Sequence, residues 1–205
     1  MKVSRNLYIP LIVIAVAISI FSNFGSNYDV IEILTFTKGY SAFNYTYLEE
    51  SEWWRLISPI FMHFSIAHLA FNCLWIYVLG EKIEMIDGRI TFVLIVIISS
   101  ILSNFFQYYS QGPHLFGGLS GVIYGLLGFC MIIEMESKFD RYGLPPALYL
   151  FMVIWLILGF MGILDLFGFG KVANFAHLGG LVSGILFAMI SVSYTHLTLP
   201  TKRIV

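Results

Sequence analysis

The sequence predicts an all-α membrane protein, a bundle of six transmembrane helices. Three observations lead to this fold class. The 205 residues are 59% hydrophobic, only 11% are charged, and the mean hydropathy is +0.85. Such a composition lies well outside that of soluble domains. Because one membrane helix needs about 20 apolar residues, six helices with short connections fill nearly the whole chain and leave no room for a soluble domain.

The first predicted helix covers residues 7–24, just after Lys2 and Arg5. We expect it to be retained, because its only signal-peptidase-like pattern, Ala15 to Ala17, lies inside the apolar run and not after it. A connection over residues 25–57 follows, and its aromatic residues favour the headgroup layer of a membrane. A loop of this length is typical of a functional segment.

The other predicted helices cover residues 59–79, 90–109, 120–135, 146–164 and 173–192. They complete a membrane domain over residues 1–192. Hydrophobicity falls abruptly in residues 193–205, so we set this polar tail apart, consistent with a cloning artefact. Cys73 and Cys130 both fall in apolar runs and are too few for a disulfide framework.

The fourth predicted helix is too short to cross a bilayer. Its apolar stretch, Leu119 to Ile133, has about 15 residues, and at 1.5 Å per residue it falls short of a hydrocarbon core about 30 Å thick. We therefore expect this helix to begin inside the membrane, at Ser120. Unpaired backbone N–H groups at that depth must meet protein or trapped water.

The distribution of Lys and Arg predicts the orientation. With six spans, eight of these residues fall on one side and three on the other, or six against three without the tail. The positive-inside rule then places both termini in the cytoplasm, so that residues 25–57, 111–118 and 166–172 face outward. The first group is Lys2, Arg5, Lys82, Arg89, Lys138, Arg141, Lys202 and Arg203; the second is Lys38, Arg55 and Lys171.

Polar side chains on the second predicted helix are candidates for function, because such groups are costly inside a membrane. His68 and Asn72 are four residues apart, which puts them on one helix face. His63 lies about 140° around the same helix from His68, so we expect it to point elsewhere.

Ser120 follows a glycine-rich approach that includes Gly118, and it is followed by Gly121. Glycines permit a tight turn, and a serine at a helix start has free backbone N–H groups beside it that can stabilise an oxyanion. Tyr124, one turn later, is expected to face the same way.

His177 lies on the sixth predicted helix just before Gly180 and Gly184, and the fourth helix carries a matching pair that begins at Gly121. Small residues four apart let membrane helices approach closely. If the two helices pack through these faces, Ser120 and His177 come within reach as nucleophile and base. No acidic residue is near His177 in sequence, so a two-residue dyad is predicted.

These motifs, taken in order, resemble those of the bacterial rhomboid intramembrane proteases, in particular the compact six-helix type, from Leu7 to about Ser191. Each motif is weak alone, but the ordered set is specific. The set is Trp54-Arg55, residues 63–72 (HFSIAHLAFN), residues 118–121 (GLSG) with Tyr124, and Ala176-His177 with Gly180 and Gly184.

The resemblance implies a catalytic assignment. Ser120 would be the nucleophile and His177 the general base and acid. His68, Asn72 and the backbone N–H of Ser120 would form the oxyanion hole. The implied function is cleavage of membrane proteins that have a single transmembrane helix, near the outer (periplasmic) face of the bacterial inner membrane, with no cofactor.

The resemblance also implies supporting roles. Tyr124 would pack against His177, His63 would join a polar network near the first loop, and Trp54-Arg55 would anchor that loop. Phe71 and Trp155 match aromatic residues that line a lateral opening for substrate, although ordinary packing explains them equally well. Residues 166–172 match a loop that caps the site.

Other function classes are less well supported by the sequence. A metal site built from His63, His68 and His177 lacks a His-Glu-x-x-His motif and acidic residues inside the spans. A transporter would also have polar residues near the midplane, but no inverted repeat relates the two halves. The net charge of -1 gives no reason to expect nucleic acid; the lipid bilayer is the expected partner.

Overall fold

The computed structural model describes residues 6–137, 140–164 and 172–198, and in these ranges it contains seven α-helices and no strand. The all-α prediction is confirmed. Two helices, Arg89–Gln111 and Asn174–Ser193, are long and apolar enough to cross a membrane, and two shorter apolar helices are Tyr8–Phe21 and Pro146–Phe160. The helices are α1 (Tyr8–Phe21), α2 (Tyr28–Leu34), α3 (Ile66–Ile86), α4 (Arg89–Gln111), α5 (Ser120–Glu136), α6 (Pro146–Phe160) and α7 (Asn174–Thr198).

The first turn of α1 is capped by a residue of another helix. The carboxylate of Glu84, a buried residue on α3, accepts hydrogen bonds from the backbone N–H groups of Leu7, at 2.9 Å, and of Tyr8. These N–H groups have no acceptor within their own helix. Glu84 therefore fixes the start of α1 against α3.

The connection between α1 and α3 is structured, and Arg55 holds it together. The guanidinium is only 3% exposed and donates to the carbonyl oxygens of Glu32 and Thr35 at the end of α2, while its Nε binds the Glu52 carboxylate at 2.6 Å. Trp54 donates from its indole to the Ile33 carbonyl at 3.1 Å. The expected anchoring role of Trp54-Arg55 matches these contacts.

A buried aromatic cluster of Phe36, Tyr47 and Phe116 joins the same connection to the segment before α5. The Tyr47 hydroxyl donates to the Phe36 carbonyl at 2.6 Å. Burial raises the pKa of Tyr47 above its usual value, so the hydroxyl keeps its proton and this bond.

Helix α3 starts later than predicted, at Ile66 instead of residue 59. Pro59 lies in a short 3-10 turn, and Ser65 ends the irregular segment by accepting a hydrogen bond from the His68 N–H at 3.1 Å, a normal N-cap. His63 consequently precedes the helix, and its ring centroid lies 4.9 Å from that of His68. The prediction that this helix includes His63 was wrong; the ring packs against His68, and its nitrogens are directed at Ser19 and Leu119.

Helices α5 and α7 pack at backbone contact through their glycines. A Cβ atom at Gly180 would lie 1.9 Å from the Gly121 carbonyl oxygen, and one at Gly184 would lie 1.9 Å from that of Gly125. Only glycine permits this approach. The predicted packing of these two helices through small residues is confirmed.

The last two helices differ from prediction at their ends. Helix α6 stops at Phe160, four residues before the predicted end, and α7 continues to Thr198, past residue 192. The predicted capping loop lies outside the described residues except for Val172, as do Lys138, Lys171 and the residues before Asn6. The division of the chain at residue 192 stays a prediction.

Candidate active site

Ser120 is the first residue of α5, and the preceding glycines make room for it. The Gly118 backbone has φ +119°, a conformation that other residues rarely adopt. A Cβ at Gly117 would lie 2.6 Å from the Pro59 carbonyl oxygen, and one at Gly118 would lie 2.7 Å from His68 Nε2. The segment just before α5 therefore packs closely against Pro59 and against His68 on α3.

His177 lies in the first turn of α7 and faces Ser120. Its Nε2 is 2.7 Å from the Ser120 Oγ, a hydrogen bond between residues 57 apart in sequence. The backbone contact of Gly180 with Gly121 brings the two helix starts together. The structure thus unites the predicted nucleophile and base in the geometry that proton transfer requires.

The ring of Tyr124 stacks on that of His177, with centroids 4.8 Å apart and planes 27° apart. Its hydroxyl donates to the Met152 carbonyl on α6 at 2.9 Å. Among the described residues, His177 Nδ1 has no hydrogen-bond partner. Among the described residues, stacking on Tyr124 therefore orients the imidazole, and no carboxylate binds His177 Nδ1.

His68 and Asn72 converge on Gly118, as their spacing predicts. From a Cβ built at Gly118, His68 Nε2 would be 2.7 Å away and Asn72 Nδ2 would be 3.4 Å away. Asn72 is 2% exposed, yet its Nδ2 has no hydrogen-bond partner among the described residues. A buried unpaired donor costs about 1–3 kcal/mol, which is expected where the donor is kept free for a ligand atom.

His63 supports the turn before Ser120 and stays outside the reaction centre. Since the Ser19 hydroxyl donates to the Ala15 carbonyl at 2.7 Å, His63 Nδ1 donates to Ser19 Oγ at 3.2 Å. His63 Nε2 accepts from the Leu119 N–H at 3.5 Å. The polar network expected for His63 therefore links α1 to the start of α5.

A cavity of about 220 Å³ joins these groups. Ser120, His177, His68 and Asn72 line its polar part; its apolar lining includes Ile123, Met152, Leu164 and Val172. A partly open, largely apolar cavity with a nucleophile, a base and two donor side chains, His68 and Asn72, suits acyl transfer.

Four aromatic rings close one side of the cavity between α3 and α6. Phe71 and Trp155 stack with centroids 5.2 Å apart, Trp75 and Phe151 stack at 6.4 Å, and three of these residues line the cavity. These stacked rings bridge α3 and α6 on this side of the cavity.

Sequence reasoning missed Gln107 and His114. Gln107 is 4% exposed and accepts a hydrogen bond from the Ala176 N–H at 3.1 Å, while His114 binds the Gln107 amide. An uncharged polar residue inside a predicted span is a weak but usable signal.

The metal alternative finds no support in the described residues. No three His, Cys, Asp or Glu side chains there are grouped so that they can hold a metal ion. His177 Nε2 is directed at Ser120 Oγ.

Comparison with known proteins gives consistent matches. A family model described as the Rhomboid domain matches residues 50–194. A protein named Rhomboid protease GlpG from Klebsiella pneumoniae is 41% identical over 139 residues, which cover 68% of this chain and 49% of the relative. Proteins of the same name from Serratia proteamaculans and Yersinia pseudotuberculosis are 38% identical over 135 residues, 66% of this chain and 47% of each relative. The chain spans about half the length of these curated relatives.

Proposed function

Because this chain belongs to the rhomboid family, we propose that it is an intramembrane serine protease that uses Ser120 and His177 as a catalytic dyad. The observation that carries the proposal is the 2.7 Å hydrogen bond between Ser120 Oγ and His177 Nε2, in a cavity with buried, unpaired donors. A purely structural serine and histidine would not need such a cavity.

In the proposed reaction, His177 Nε2 takes the Ser120 proton while Oγ attacks the carbonyl carbon of the scissile peptide bond. The oxyanion is held by His68, Asn72 and the backbone N–H of Ser120, with each donor worth about 3 kcal/mol in comparable sites. His177 then protonates the leaving amine as the C–N bond breaks. Water attacks the acyl-enzyme with His177 again as base, which releases the second product and restores the Ser120 hydroxyl.

We further propose six membrane spans, namely α1 and α3 to α7, with α5 starting inside the membrane. Ser120, the first residue of α5, lines the cavity, so the unpaired N–H groups at this helix start meet protein and not lipid. Ser120 would then lie below the outer surface, where the polar side chains around the cavity support a water-filled pocket. A membrane domain over residues 1–192 and a separate polar tail belong to the same proposal.

The proposed location is the bacterial inner membrane, with both termini in the cytoplasm. The distribution of Lys and Arg supports this orientation. The cavity end of the bundle, where Ser120 and His177 begin their helices, would then face the periplasm, and cleavage would occur near that face.

The proposed substrates are membrane proteins with a single transmembrane helix that enter from the lipid between α3 and α6. The stacked pair of Phe71 and Trp155 would separate to admit them. The substrate helix must unwind locally, because a peptide bond in an intact helix is hydrogen-bonded and sterically shielded.

The test uses purified protein in liposomes with a panel of single-span fusion proteins, and mass spectrometry locates each cut. We expect cleavage by the parent protein within or next to the span, and none by Ser120→Ala or His177→Ala. Cleavage that persists in Ser120→Ala refutes the nucleophile. Solute flux that survives both substitutions, without cleavage, supports the transporter alternative.

A further inference from the structure

Gln107 holds the helix turn that carries the proposed catalytic base. Its Oε1 accepts from the Ala176 N–H at 3.1 Å, one residue before His177. This N–H belongs to the first turn of α7, where backbone donors have no acceptor within the helix; the His177 N–H is bonded back to the Ala173 carbonyl. A side chain of α4 thus completes the turn from which His177 reaches Ser120.

His114 fixes the orientation of the Gln107 amide. The Gln107 Nε2 lies 3.1 Å from His114 Nε2, and His114 Nδ1 lies 2.8 Å from the Gly112 carbonyl oxygen. Since the amide oxygen already accepts from Ala176, the amide nitrogen must donate to the imidazole. His114 is therefore neutral, with its proton on Nδ1, where it donates to Gly112.

A proton added to His114 Nε2 breaks this arrangement. The protonated ring would point an N–H at the amide NH₂ group. If the amide flips, its oxygen faces His114, but its NH₂ then faces the Ala176 N–H. Either way one buried hydrogen bond is lost, because a protonated imidazole has donors only.

No charged group compensates for that loss among the described residues. The hydrogen-bonding and ring contacts of His114 are with Gln107 on α4, with the Gly112 carbonyl, and with the Phe116 ring at 5.3 Å. None of these neighbours titrates.

We propose that Gln107 and His114, the latter in its neutral form protonated at Nδ1, are positioning residues that keep His177 directed at Ser120 through the hydrogen bond to the Ala176 N–H. This inference rests on the proposed function. A fluorophosphonate probe, which forms a P–O bond with an activated serine hydroxyl and releases fluoride, tests it at Ser120, because this small probe needs the dyad but no substrate entry through the membrane.

The experiment compares labelling rates of the full chain in detergent at neutral pH for the parent, His114→Gln and His114→Leu, with thermal unfolding to verify the fold. Glutamine keeps an acceptor for the Gln107 amide, so we expect labelling close to the parental rate. Leucine removes the acceptor, and we expect about tenfold slower labelling. Parental labelling by a folded His114→Leu protein overturns the inference, as does an equal loss of labelling in both variants.

A second measurement needs no variant. In ¹⁵N-histidine NMR of the parent at neutral pH, we expect the His114 signals of a neutral ring protonated at Nδ1; a ring protonated at Nε2 overturns the inference. Failure here is distinct from failure of the proposed function, which would appear as a parent protein that Ser120 probes do not label at all.

Discussion

The substitution Gly180→Ala should separate the two helices that carry the dyad. The new Cβ would lie 1.9 Å from the Gly121 carbonyl oxygen, whereas Cβ contacts below 3.0 Å are essentially not found. The helices must therefore move apart by at least about 1.1 Å, the difference between these two distances. Gly121 directly follows Ser120, so this movement acts at the nucleophile.

The expected loss of activity follows from the geometry. A separation of this size along the 2.7 Å bond between Ser120 and His177 takes it to about 3.8 Å, beyond hydrogen-bonding distance. Misplacement by about 1 Å costs roughly 100-fold in rate, equivalent to about 2.7 kcal/mol. Alanine is also the better helix former by about 1 kcal/mol, so any fall in the melting temperature reports the lost packing.

The assay is the rate of fluorophosphonate labelling, with circular dichroism and thermal unfolding to verify the fold. Gly184→Ala is the matched control, because it makes the same 1.9 Å overlap with the Gly125 carbonyl one turn farther from the dyad. We expect a similar loss of stability but a smaller loss of labelling. A folded Gly180→Ala protein that labels at the parental rate would refute the reasoning.

Three further substitutions test other parts of the account. Phe71→Ala removes the stack on Trp155, which is worth about 0.5–1.5 kcal/mol. Cleavage of single-span substrates in liposomes should therefore rise by up to about tenfold, with little change in fluorophosphonate labelling. An unchanged cleavage rate argues against the gate. Lysine in Arg55→Lys cannot keep the bonds to Glu52 and to the carbonyls at the end of α2. The free energy of unfolding should therefore fall by about 1–3 kcal/mol, as measured by thermal unfolding. An unchanged melting temperature contradicts the anchoring role. Glu84→Gln weakens the cap on α1 by removing its charge, and should cost about 1 kcal/mol relative to Glu81→Gln; equal melting temperatures for both variants would exclude the cap.

The sequence predicted the all-α class from its composition and apolar runs. It predicted the packing of α5 on α7 and the convergence of His68 with Asn72 from helical spacing. The spacing of Gly180 and Gly184 defines a face for close approach whatever lies around it. Likewise, residues four apart share a helix face in any helix.

The errors arose where tertiary contacts decide local structure. His63 was placed on a helix because the apolar pattern runs through it, whereas Pro59 and the Ser65 cap delay the helix start to Ile66. The bond from Gln107 to the Ala176 N–H joins residues 69 apart in sequence, and no local pattern encodes such a pair. A capping carboxylate on another helix, such as that of Glu84, is equally invisible in sequence.

Peptide mapping of the fluorophosphonate adduct tests the central claim most directly. The account predicts one phosphonylated residue, Ser120, in the parent protein, and a strong reduction of that adduct in His177→Ala while the protein remains folded. An adduct on another serine, or undiminished modification of Ser120 without His177, would contradict it.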